Sequence, residues 1–269
     1  MAFIGGGNMA RSLIGGLIRN GAPAAAIAVA EPNAELRAAL ARDFSVATHA
    51  DNAAAARSAD VLVLAVKPQV MKDVCGGLRE TVQARRTLIV SIAAGIRGDQ
   101  LDRWLGGDLA IVRCMPNTPA LMGAGATGIH ANARTSVAQR DLAQGILAAA
   151  GLVVWIDDEA QMDTVTALSG SGPAYFFLLA EALIDAAVAQ GLPRDAAREL
   201  ATQTCLGAGR MLREDGAAPA ELRRRVTSPN GTTQAALESL AADDFAQIVT
   251  RAVAAATRRG GELSAELDR

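Results

Sequence analysis

MAFIGGGNMARSLIGG, residues 1–16, decides the reading of this chain: a short apolar run breaks at three glycines and resumes with helical spacing. It spells strand, tight turn, helix. Gly5 permits the turn, Gly7 lets the backbone approach a pyrophosphate with no Cβ in the way, and Ala10 is small enough for close packing of helix on sheet. The backbone N–H groups that open the helix, from Gly6 through Asn8 and Met9, would face the phosphates. A G-x-G-x-x-A spacing alone is a weak signal, because a glycine turn often binds nothing. Its surroundings strengthen it. An amphipathic helix follows (Leu13, Ile14, Leu17, Ile18), and residues 27–31 (IAVAE) read as a second strand with an acid, Glu31, at its end.

The 269 residues carry a net charge of −2 with no basic block and only 3% aromatic residues, which argues against a nucleic-acid partner. Cys75, Cys114 and Cys205 are odd in number and widely spaced. They suggest neither a disulfide framework nor a metal site, and a reducing cytoplasm suits them. The glycines interrupt the N-terminus too early for a signal peptide. The most apolar window, residues 174–189, contains Glu181 and Asp185 and is shorter than the roughly 20 residues a bilayer requires, so no membrane partner is expected.

Going outward from the glycine turn, short β-branched runs alternate with helical stretches, the pattern of a parallel sheet covered on both faces. A helix is expected near residues 34–42, a strand near 45–48 and a helix near 52–57. Residues 60–66 (DVLVLAV) and 87–91 (TLIVS) are apolar enough to be central strands. Residues 109–114 (LAIVRC) run into Met115-Pro-Asn-Thr-Pro119, whose prolines hold an extended loop where ligands of such sheets sit. Strands at 127–131 and 152–156 bracket a helix at 137–149. The first domain is expected to span residues 1–160.

Beyond Met162 the strand signals stop, and residues 161–269 read as an all-α domain. Residues 175–190 (YFFLLAEALIDAAVAQ) are apolar on nearly every side, which fits a helix buried in a large core or between subunits. Gly207 and Gly209 weaken the next helix and imply either close approach of another helix or simple core packing. The basic run Arg223–Arg225 reads as a solvated face. Near the end, LRRRVTSPNGTTQAALESL (residues 222–240) puts a turn cluster, Ser228, Pro229, Asn230 and Gly231, directly before an alanine-rich helix opened by Thr232 and Thr233. Such a helix start offers unpaired N–H groups to an anion, although an ordinary capped helix would read the same way.

These blocks together resemble the pyrroline-5-carboxylate reductases over essentially the whole length. The likeness rests on Phe3-Ile-Gly-Gly-Gly-Asn-Met9, Ala65-Val-Lys-Pro68, Ser91-Ile-Ala-Ala-Gly95 and Arg113-Cys-Met-Pro-Asn-Thr-Pro-Ala120. It rests also on Ser169-Gly-Ser-Gly-Pro-Ala-Tyr175 and Val226-Thr-Ser-Pro-Asn-Gly-Thr-Thr233. In the last block the family commonly has a glycine where this chain has Asn230, a residue that tolerates positive φ better than other non-glycine types. The resemblance implies a Rossmann domain followed by a helical dimerisation domain, assembled as a homodimer or a dimer-based higher oligomer.

It also implies the chemistry. Hydride passes from NADPH or NADH to the imine carbon of 1-pyrroline-5-carboxylate, giving L-proline. By this resemblance, Ser228, Asn230, Gly231, Thr232 and Thr233 hold the substrate carboxylate, and the Thr233 hydroxyl meets the ring nitrogen. Met115, Pro116, Asn117 and Thr118, with Ser171, Gly172 and Pro173, frame nicotinamide and substrate. Ala65, Val66, Lys67, Pro68 and Ala93 line the cofactor. A cyclic imine arrives protonated, so no strong protein acid is required, and His49 and His130 read as structural. Glu31 alone favours NADH, since a carboxylate accepts from a ribose 2′-hydroxyl and repels a 2′-phosphate. Asn33 and Arg37 could still meet a phosphate if Glu31 turned away. The rival readings are another Rossmann imine or hydroxy-acid dehydrogenase and a non-catalytic NAD(P)-binding sensor.

Overall fold

In the computed structural model, which describes residues 1–268, the chain forms two compact units: residues 1–171 with 255–268, and residues 172–254. The first unit is built on the glycine turn. Strand β1 (Ala2–Ile4) leads through it into helix α1 (Asn8–Arg19), and β2 (Ala28–Ala30) and α2 (Ala34–Phe44) repeat the pattern. They are followed by β3 (Ala47–His49), α3 (Asn52–Ala56), β4 (Val61–Leu64), α4 (Met71–Arg85), β5 (Leu88–Ser91), α5 (Gly98–Leu105) and β6 (Ile111–Met115). A reversal then brings in β7 (Gly125–Ala131), α6 (Val137–Ala148) and β8 (Gly151–Trp155).

The strands form one sheet in the order β3-β2-β1-β4-β5-β6-β7-β8. Every pair is parallel except β6 with β7, where Val112 stands opposite Ala131 and Met115 opposite Gly128. An all-parallel pattern read from alternating strands and helices misses this reversal, because the connection through residues 116–124 contains no crossover helix and brings the chain back as a neighbour. The wholly apolar strands are central, as expected. Successive residues serve opposite faces: Phe3, Val63, Val90 and Val112 pack with α1 and α6, while Ile4, Leu62, Leu64, Ile89 and Ile111 pack with α3, α4 and α5. Each such side chain taken fully out of water contributes about 1.5–3 kcal/mol. Ala10 is buried in the first core, and Gly16 brings α1 against the Ala149 backbone.

The chain leaves the sheet through a short helix, α7 (Met162–Val165), and a π turn (Thr166–Gly170). The second unit consists of α8 (Gly172–Ala189), α9 (Arg194–Glu214), α10 (Pro219–Arg225), α11 (Thr232–Ala242) and the first half of α12 (Phe245–Glu266). The apolar run is longer than its sequence suggested. Glu159–Ala189 is long and apolar enough, by length and composition, to cross a membrane, and only 11% of its most apolar window is buried. Phe176, Phe177, Leu178 and Leu183 are all more than half exposed within this chain. A Cβ on Gly207 or Gly209 would meet nothing within 4 Å, so these glycines do not serve packing inside their own chain. Arg223–Arg225 lie exposed, with Arg225 paired to Asp215 and Glu221.

The last turns of α12 return to the first unit. Gln100 of α5 donates to the Ser264 carbonyl, and Asp268 accepts from both Arg97 and Arg103.

Candidate active site

The topological switch point lies between β1 and β4, with β2 on the other side of β1, and ligands of such sheets bind outside the carboxyl ends of the strands there. Gly5 sits at that point with φ of +97° and donates its N–H to Ala30 O at 2.8 Å. A Cβ on it would fall 2.6 Å from Ala65 O, so only glycine fits between the two strand ends. A Cβ on Gly7 would meet nothing within 4 Å. Gly7 is the N-cap of α1 and no side chain caps that helix, so its opening N–H groups, at Asn8 and Met9, face open space. A bare helix start beside an open glycine cradle fits a dinucleotide pyrophosphate.

The same edge of the sheet carries the other residues expected to meet cofactor. Ala65 donates its N–H to Ile4 O at 2.8 Å, which keeps residues 65–68 beside the glycine turn; Lys67 is exposed and Pro68 opens a 3₁₀ turn. Ala93, beyond β5, is buried and donates to Ser91 Oγ. Glu31 directly follows β2, is 9% exposed, and its carboxylate is already bonded: Gly6 donates to Oε2 at 2.9 Å and Asn33 to Oε1 at 3.0 Å. Asn33 uses its side chain to cap α2 at Leu36, and Arg37 donates to the carbonyls of Glu31 and Pro32 at 2.7 Å each.

Met115 ends β6 at this edge and residues 116–118 follow it. Asn117 is buried and pins the loop twice, donating through Nδ2 to Ser169 O and accepting on Oδ1 from Ala126 N–H, both at 2.9 Å. Met115 lies across Gly170, where a Cβ would come 2.5 Å from its Cε. Ser171 closes the π turn by donating its N–H to Thr166 O at 2.8 Å. Irregular turns of this kind recur at functional sites because they reorient a helix within one step.

One cluster was missed in the sequence. Arg113, 5% exposed in the middle of β6, pairs with Glu159 at 3.3 Å and Asp163 at 3.6 Å, and Glu159 also accepts the Gly98 N–H. A buried guanidinium needs such partners. The available signal was an arginine inside the otherwise apolar LAIVRC.

Within the second unit, the Ser228 turn is built as its residue types suggest. Gly231 donates its N–H to Ser228 O at 3.0 Å, Asn230 takes φ of +59°, and Gly231 becomes the N-cap of α11 with no side-chain cap on the helix. The hydroxyl-bearing Thr232 and Thr233 are therefore the first two residues of the helix, not its cap. Thr233 is partly buried and Thr232 exposed; Ser228 is exposed, and Gly172 and Pro173 open α8.

His130 and the two buried cysteines are not free to act as acid or nucleophile. His130 donates from Nδ1 to Ile156 O at 2.9 Å, and His49 lies in β3 at the sheet edge. Burial raises the Cys75 thiol to about 12 and pushes Cys114 up as well, so neither supplies a thiolate. Among the described residues no His, Cys, Asp and Glu group could hold a metal ion.

Residues 159–263 match the family model for pyrroline-5-carboxylate reductase dimerisation, and residues 1–95 match that for NADP oxidoreductase, coenzyme F420-dependent. The chain is 53% identical to a pyrroline-5-carboxylate reductase of Pseudomonas aeruginosa, covering 99% of this chain and 97% of that one. A solved pyrroline-5-carboxylate reductase from Coxiella burnetii superposes with a TM-score of 0.95 at 43% identity, over 97% of each chain. The Plasmodium falciparum pyrroline carboxylate reductase, solved with NADP bound, gives 0.84 at 29% identity, over 98% of this chain and 97% of that one.

Proposed function

Because the chain belongs to the pyrroline-5-carboxylate reductase family, we propose that it reduces 1-pyrroline-5-carboxylate to L-proline with NADH or NADPH, the last step of proline biosynthesis. Residues 1–160 act as the NAD(P)-binding domain and residues 161–269 as the substrate and dimerisation domain. The enzyme works in the cytoplasm as a homodimer or a dimer-based oligomer. The observation that carries the reading is the start of α11 behind the Asn230 turn, which no side chain caps and whose N–H groups suit a carboxylate.

The cofactor, when bound, supplies a hydride to the imine carbon. The protein's own part is binding, orientation and the holding of a proton at one atom. The N–H groups of Asn8 and Met9 receive the pyrophosphate over the Gly5–Gly7 cradle, and Lys67, Pro68 and Ala93 line the remainder. The N–H groups of Thr232 and Thr233, with Ser228, hold the substrate carboxylate. Met115 to Thr118 and Ser171 to Pro173 frame the ring. The Thr233 hydroxyl oxygen accepts from the protonated ring nitrogen, whose N–H persists into proline. Because the imine brings its own proton, the reaction needs no protein acid, in keeping with the engagement of His130 by a carbonyl.

Incubation with reduced cofactor and 1-pyrroline-5-carboxylate, with chromatographic detection of proline, tests this against the dehydrogenase and sensor readings. Proline formation is expected. Turnover of a 2-keto or hydroxy acid in its place, or cofactor binding with no turnover, would overturn it.

A further inference from the structure

An acid that ends the second strand of a dinucleotide-binding sheet ordinarily meets the cofactor ribose. Glu31 has a prior commitment to the protein itself. Its Oε2 accepts from Gly6 N–H at 2.9 Å and its Oε1 from Asn33 N–H at 3.0 Å. The first bond crosses from the end of β2 to the middle of the glycine turn. Gly6 is also packed on the same side chain: a Cβ there would lie 3.3 Å from Glu31 Cβ and 2.5 Å from Leu40 Cδ1. Behind the carboxylate, Arg37 of α2 holds the backbone through the Glu31 and Pro32 carbonyls. The acid therefore stands between a braced helix and the turn residue whose N–H points back onto its carboxylate.

We propose that Glu31 is a positioning residue that latches the phosphate turn, holding Gly6 so that the N–H groups of α1 are aimed before the cofactor arrives. This rests on the reading of residues 1–16 as the cofactor's phosphate turn. Charge-assisted N–H bonds of this kind are about twice as strong as neutral ones, and an anion site ordered in advance binds without the cost of ordering itself. The pyrophosphate is common to NADH and NADPH. Loss of the latch therefore weakens both nucleotides by the same factor, whereas loss of a group that reads the ribose 2′ position changes their ratio.

Two variants separate these roles. Glu31→Ala removes both acceptors, and Glu31→Gln removes the charge but keeps an oxygen for Gly6. Calorimetric titration with NADH and with NADPH is paired with amide hydrogen exchange over residues 5–9 of the cofactor-free protein. Glu31→Ala is expected to weaken both nucleotides about tenfold to a hundredfold, in equal measure, and to speed exchange at Gly6. Glu31→Gln is expected to recover most of both effects. If both variants instead shift the preference tenfold toward NADPH while exchange at Gly6 stays as in the wild type, Glu31 reads the ribose and the latch is wrong. Wild-type protein that binds neither nucleotide would end the phosphate-turn reading, and the exchange measurement would then decide the latch alone: faster exchange in Glu31→Ala upholds it, unchanged exchange overturns it.

Discussion

Asn230 and Gln234 are joined across the turn that opens α11: Asn230, at φ of +59°, donates its N–H to Gln234 Oε1 at 2.8 Å. The side chain at the third position of the helix thus holds the residue before its N-cap, and the N–H groups of Thr232 and Thr233 stay uncovered. Gln234→Ala is expected to raise KM for the imine about threefold to tenfold with little change in kcat, the worth of one hydrogen bond. Asn230→Gly should keep activity, because glycine enters the left-handed region freely, and Asn230→Val should lose it. Steady-state kinetics on the three variants checks the assignment. Normal KM in Gln234→Ala would show that the turn holds without this bond.

Met115 covers Gly170, and a methyl group placed there would push first on the flexible Met115 tip. Gly170→Ala is therefore expected to displace Met115 at a cost of about 1 kcal/mol in stability, the low end for overpacking. The KM for the cofactor should rise about threefold, if Met115 frames the nicotinamide, since such displacement disturbs a positioned contact. Thermal unfolding and cofactor titration together measure both effects. A large fall in stability with unchanged cofactor KM would make the contact purely structural.

Gly209 lines an apolar groove of about 420 Å³ between α8 and α9, beside Phe176, Leu183 and Leu212. Leucine at this position raises helix propensity by about 1 kcal/mol, its Cβ meets nothing within 4 Å, and its longer side chain projects into the groove. Gly209→Leu should leave the isolated fold intact and weaken assembly, because the groove is then closed to a helix of a second copy. Sedimentation velocity is expected to show a dimer or larger for the wild type and a lower oligomer for the variant. Unaltered assembly would place the interface elsewhere.

Asp268 ties the end of α12 to α5. Hydrogen bonding to Gln100 and then to Arg97 holds its carboxyl below the ordinary carboxylate range, with desolvation opposing. A carboxyl lowered in the folded state adds stability above its unfolded value, and that stability disappears as pH falls through the folded value. Asp268→Asn should therefore melt earlier than the wild type at neutral pH, and the gap should close in acid, below the usual carboxylate range. A gap that persists in acid would assign the loss to packing.

The sheet was legible because its signals are local: wholly apolar runs for β4 and β5, and glycines at the β1–α1 turn. The β6–β7 reversal was not, since antiparallel pairing depends on where the chain returns rather than on the residues that pair. Arg113 was hidden for a similar reason. Its partners, Glu159 and Asp163, lie some 50 residues on, and only the fold makes the buried charge tolerable. Asn230 was readable from its type alone, and its left-handed φ agrees with that reading. The commitment of Glu31 to Gly6 could not be read, because the acid's place at a strand end predicts a ligand, while its bond to the turn depends on how closely two strand ends approach.

The most direct measurement is consumption of reduced nicotinamide with 1-pyrroline-5-carboxylate by wild-type protein and by Thr233→Val, side by side at saturating cofactor. Valine nearly matches threonine in shape, so the fold should survive, and His49→Ala and His130→Ala serve as controls that leave the pH profile of kcat/KM unchanged. The account predicts robust turnover by the wild type and a fall of about tenfold to a hundredfold in kcat for Thr233→Val, the range of one well-placed hydrogen bond in the transition state. Absence of turnover in the wild type, or undiminished kcat in Thr233→Val, would contradict it.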